Sequence, residues 1–245
     1  MTTDPSPVGR LRAVRAGLSW AGLWVLIEFA TRTGLGWVVL RLARLLGSRP
    51  GIAEIYTLSA VLLWPAVIIL GIVFYRRVRR EGLTWAELGY RSGRSALAAG
   101  LISGVVFLGL GVVSYIDAYL FGEAERYKQA MLAAGPLAEF IMLPVNGILA
   151  PVVEELAWRG YVQTHLIRGW SPRTGIIVTS VLFAAKHNLV DLSFSRTASL
   201  IVGALGLGIV GYRWGTTAST IAHVMLNFIT TLALLLDVYF KLYHV

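Results

Sequence analysis

Apolar runs separated by short polar stretches recur from one end of the chain to the other. A helix needs about 20 mostly apolar residues to cross the hydrocarbon core of a bilayer. Seven runs reach or approach that length, at roughly 18–40, 55–75, 96–117, 137–166, 174–190, 197–213 and 216–240. The fifth and sixth are short, which places them among other helices rather than against lipid. The pattern predicts an all-α fold: a single polytopic transmembrane helix bundle over 18–240, with a basic tail at 1–17 and a short tail at 241–245. Pro144 and Pro151 interrupt the fourth run. A kinked or re-entrant segment there would raise the count from seven spans to eight and return the C-terminus to the side of the N-terminus.

Composition agrees with the pattern. Of 245 residues, 56% are hydrophobic and only 14% are charged, where a soluble domain carries about 25%. There is no cysteine, so disulfides, iron–sulfur clusters and thiolate zinc sites are excluded. The net charge of +9 sits mainly in arginines at the edges of apolar runs, the footprint of positive-inside topology. No basic face is interleaved with aromatics, so nucleic acid is excluded as a partner. Arg10, Arg12 and Arg15, the basic stretch 75–94 and the stretch 168–173 fall on one side if the spans alternate. The N-terminus is therefore expected in the cytosol, ahead of an uncleaved first span. The mixed-charge stretch 121–129 is expected outside, and Arg41, Arg44 and Arg49 depart from the rule. Trp85, Trp170 and Trp214 lie at expected span ends, where interface anchors belong.

Several polar residues interrupt the apolar runs. In the fourth, Glu155 and Arg159 are four apart and can pair on one helix face. Glu154 is turned about 100° away, free to face something else. The fifth run carries His187, four residues after Phe183, with Lys186 beside it expected to snorkel to the interface. The last run places His223 and Asn227 four apart on one face. Glu28 and Arg32 in the first run have the spacing of an internal ion pair. His165 is expected at an interface, and His244 lies in the tail. Gly203, Gly206, Gly208 and Gly211 give the sixth run a small face suited to close packing. Taken together, Glu154, His187, His223 and Asn227 can converge in a cavity inside the bundle. A carboxylate and an imidazole can take a proton from water, and an imidazole with an amide can stabilise an oxyanion.

The ordered motifs "EELAWR" (154–159), "FAAKH" (183–187) and "HVMLN" (223–227) resemble those of the type II CAAX prenyl endopeptidases and their bacterial relatives, the Abi or CPBP intramembrane proteases. The resemblance covers about 135–230, which is the expected catalytic core. It implies an endopeptidase acting on a membrane-associated protein or peptide in the lipid bilayer of a bacterial plasma membrane. It also implies Glu154 as the general base, with His187 helping to hold the water. His223 and Asn227 would form the oxyanion site, and Glu155 and Arg159 would order the first motif. The family has been described both as metalloproteases and as glutamate proteases. Glu154, His187 and His223 are ligands of a type zinc accepts, but no H-E-x-x-H pattern is present, which favours metal-free catalysis and leaves zinc open. The same intramembrane ionisable residues would also serve a proton-coupled transporter, or a bacteriocin-immunity or scaffold protein that keeps the site without turnover.

Overall fold

The structure is a computed structural model that describes residues 6–120, 123–194 and 196–243. It is an all-α bundle, with no strand among the described residues. Its helical runs are α1 (Pro7–Leu45), α2 (Ile52–Glu81), α3 (Arg94–Leu120), α4 (Glu123–Ala134), α5 (Pro136–Gly169), α6 (Pro172–Asp191), α7 (Thr197–Trp214) and α8 (Thr216–Tyr243). Among the described residues five of these are long and apolar enough to cross a membrane: α1, α2, α5, α7 and α8. The protein is therefore an integral membrane protein.

Local chemistry accounts for the helix ends. The Ser6 hydroxyl accepts the backbone N–H of Gly9 at 3.1 Å, and Pro7 follows at the first helical position, where its missing N–H costs nothing. Helix thus begins inside the stretch expected as a tail, and α1 carries Arg10, Arg12 and Arg15 on its first turns. Ser171 and Pro172 start α6 in the same way. Gly82 ends α2 in the left-handed conformation, φ 65°, which glycine adopts without strain.

Around Pro144 and Pro151 the chain stays helical: α5 is one run from Pro136 to Gly169, which contains the span expected at 137–166. A proline removes one rung of the i→i−4 ladder, and α5 responds by widening into π-type turns at Val145–Leu149 and again at Leu156–Gln163. The stretch expected as an outer loop at 121–129 is helical from Glu123 onward, and its first two residues lie outside the described part.

Helix α8 packs along α3 and against α5 and α7, while α1 lies on the end of α5 and on α6. At the centre is an aromatic cluster. Trp20 meets Phe74 at 5.6 Å between ring centroids, Trp24 meets Trp158 at 6.3 Å, and Trp158 meets Phe183 edge-on at 5.5 Å. Small residues on α7 permit close approach to α5: a Cβ on Gly208 would stand 2.8 Å from Gln163 Oε1, and one on Gly211 would stand 3.3 Å from Arg159 Cγ. Gly206 meets Phe107 in the same manner, but Gly203 faces open space. Three of the four expected glycines therefore serve packing.

Candidate functional site

Glu154 and Glu155 stand on α5 immediately before its second widened turn, and both are buried. Their side chains diverge as the helical rotation requires. Glu155 Oε1 lies 3.2 Å from Arg159 Nη1 and takes a second contact from His223 Nδ1 at 3.0 Å. Arg159 also donates to the Ala204 carbonyl at 3.2 Å and lies over the Phe183 ring, 4.6 Å from its centroid. Helices α5, α6, α7 and α8 are thus tied together around one buried carboxylate.

Glu154 faces the other way, and its partner is Lys186 on α6. The ammonium Nζ is 2.5 Å from Glu154 Oε1, and the residue has 0% exposure. The expectation that Lys186 reaches for the interface is overturned. Burying a lone ammonium in apolar surroundings costs several kcal/mol or more, so a partner is obligatory, and two are present. Glu28 of α1 supplies the second, with Lys186 Nζ 3.0 Å from its Oε2. Glu28 also accepts from the Trp24 indole at 2.8 Å and pairs with Arg32 at 3.1 Å. The Glu28–Arg32 ion pair therefore exists, but Glu28 is at the same time a wall of the site. Arg32 continues to Asp191 at 3.0 Å, and Asp191 to Arg196 at 2.8 Å.

These contacts form one network of alternating charge. Arg196, Arg32, Lys186 and Arg159 face Asp191, Glu28, Glu154 and Glu155, four cations against four anions. With His223 neutral the network carries no net charge. His223 joins its two halves: Nδ1 contacts Glu155, and Nε2 lies 4.0 Å from Glu154 Oε2. Glu155, ionised against Arg159, can only accept, so Nδ1 must carry the hydrogen. Nε2 is then the ring nitrogen nearer Glu154.

A small cavity of about 10 Å³ opens beside Glu154, lined by Trp24, Glu28, Leu63, Val67 and Val153 among others. This is at the lower edge of the room one water needs.

His187 and Asn227 stand further from the centre. His187 packs against Phe183 at 4.9 Å between rings and has Nδ1 3.7 Å from Asp191. Phe183 also packs near the His223 ring, at 6.3 Å between centroids. Among the described residues no hydrogen bond joins His187 to Glu154. Asn227 donates to the Asn146 carbonyl at 3.1 Å, in the first widened turn of α5. His165, half-buried, stacks on Tyr161 at 4.1 Å. His244 lies outside the described residues.

Sequence spacing missed Lys186 and the second role of Glu28. The available signal was the unpaired charge itself. Once Glu28–Arg32 and Glu155–Arg159 are paired, Glu154 and Lys186 are an unmatched acid and base within apolar runs.

Among the described residues no three of His, Asp and Glu are grouped as ligands of one ion, and the Lys186 ammonium stands 2.5 Å from Glu154 Oε1.

Residues 136–229 match a protein-family model described as "Type II CAAX prenyl endopeptidase Rce1-like". No curated protein and no solved structure matches the chain.

Proposed function

From the match of residues 136–229 to the family model described as "Type II CAAX prenyl endopeptidase Rce1-like", we propose that the protein is an intramembrane endopeptidase. Its substrate is a membrane-associated protein or peptide, met at the lipid bilayer of a bacterial plasma membrane. The N-terminus of the enzyme lies in the cytosol. The observation that carries this reading is the pairing of Glu154 Oε2 with His223 Nε2 across 4.0 Å, between two buried side chains.

In this reading a water at ordinary hydrogen-bond length, about 2.8 Å, from both atoms bridges that gap. Both atoms accept, so such a water presents its two hydrogens to them and its lone pair away from them, towards an incoming carbonyl carbon. On attack, the water oxygen bonds to that carbon and one proton passes to Glu154 or to His223 Nε2. An imidazole that has taken the proton becomes a donor and can face the oxyanion. Collapse breaks the C–N bond, and the proton goes to the departing amine nitrogen. Asn227 uses one amide hydrogen on Asn146 and keeps the other for the substrate oxygen. Lys186 balances the charges of Glu28 and Glu154 and holds Glu154 Oε1, so that Oε2 is left for water. Arg159 and Glu155 fix the His223 tautomer. His187 supports this arrangement through Phe183 and Asp191 rather than by contact with Glu154.

The test is reconstitution. Wild-type protein in liposomes with a tagged single-span peptide should yield two fragments by mass spectrometry, and His223→Ala should reduce the rate by about 100-fold or more. Solute flux across sealed liposomes without any fragment would replace this reading with a carrier.

A further inference from the structure

On the flank of the bundle, away from Glu154, a cleft of about 250 Å³ runs between α1 and α2, lined by Trp20, Leu23, Val73, Arg76, Arg77 and Arg80. Its two halves differ in chemistry. Leu23, Val73 and the Trp20 ring make an apolar wall, and three arginines make a cationic rim. Among the described residues Arg77 is the one rim arginine with an acidic partner, lying 2.5 Å from Glu81; Arg76 and Arg80 have none. Trp20 is 1% exposed, and its indole N–H has no hydrogen-bond partner. A buried donor left unpaired costs about 1–3 kcal/mol, so a ligand oxygen that reached it would be favoured. Helix α2 has 30 residues, about 45 Å at 1.5 Å per residue, against a hydrocarbon core of about 30 Å. A helix of that length is long enough to carry its arginine-bearing end into the headgroup layer.

We propose that this cleft binds one anionic phospholipid. The phosphodiester is received by Arg76, Arg77 and Arg80, and the start of an acyl chain lies along Leu23 and Val73. Arg77 also donates to the Tyr161 hydroxyl at 3.1 Å, and Tyr161 belongs to the widened turn that follows Glu154 and Glu155. The bound lipid thus rests against the helix that carries the candidate site.

The protein would be purified in micelles containing equal amounts of phosphatidylglycerol and phosphatidylcholine and then washed by detergent exchange. Retained lipid is counted by mass spectrometry on the fraction that elutes folded. Phosphatidylglycerol should exceed phosphatidylcholine at least about fivefold. The ratio should fall towards one in Arg76→Gln/Arg80→Gln, and in Arg80→Gln alone should that pair not fold. It should persist in Arg79→Gln, an exposed arginine of the same helix end that does not line the cleft. Equal retention of the two lipids, an unchanged ratio in these cleft variants, or displacement by inorganic phosphate alone would overturn the proposal.

Discussion

At Lys186 an ammonium with no exposed surface bridges carboxylates from two other helices, Glu28 and Glu154. Removing one member of such a buried network leaves an uncompensated charge, which costs about 3–5 kcal/mol. Lys186→Met should therefore lower unfolding free energy in micelles by that order and abolish hydrolysis. Adding Glu28→Gln removes one of the two carboxylates left facing each other, and the double variant should regain part of the stability but not the activity. A double variant no more stable than Lys186→Met would show that charge balance is not what holds the three helices together. Sequence spacing made Glu155–Arg159 legible because the pair is four residues apart on one helix. It left Lys186 illegible because its partners are 32 and 158 positions away, and local periodicity carries no information over such separations. Lysine's usual habit of reaching for water then gave the wrong placement.

At the scale of elements, the decisive feature is the form of α5. Its prolines announce a disturbance, but not whether the chain bends, re-enters or widens. The choice lies in tertiary packing: the second widened turn is buried against α7, with Gln163 Nε2 donating to the Gly208 carbonyl at 3.0 Å. A side chain at Gly208 would meet Gln163 and Ile176 at 3.0 Å or less. Gly208→Val should cost about 1–3 kcal/mol by overpacking and should slow peptide cleavage by displacing the helix that bears Glu155 and Arg159. Gly203→Ala, at an open position of the same helix, should leave both unchanged. Thermal unfolding and cleavage rate measured on the two variants check this contrast. Equal effects would mean that α7 does not set the position of α5.

On the scale of the whole molecule, the bundle was visible in the apolar runs because every spanning helix must hide its backbone from lipid. The convergence of the motifs was visible in part. Glu154, Glu155, Arg159 and His223 meet, whereas His187 and Asn227 make their hydrogen bonds and ion contacts with Asp191 and Asn146. The difference should appear in rates. His187→Ala should lose less activity than His223→Ala, by about tenfold, since among the described residues it makes no hydrogen bond to Glu154. The first helix lies outside the matched segment, yet it contributes Glu28 to the site. A fragment restricted to 136–229 should accordingly have no activity, even where it inserts.

The most direct measurement compares wild-type protein with Glu154→Gln, a substitution that keeps the shape and removes the base. Both would be reconstituted at equal folded amounts with a tagged membrane peptide, and initial cleavage rates would be read by mass spectrometry. A fall of about 100-fold or more, with the cleavage position in the wild type unchanged by added chelator, is the predicted result. A Glu154→Gln protein that cleaves at the wild-type rate would contradict the account.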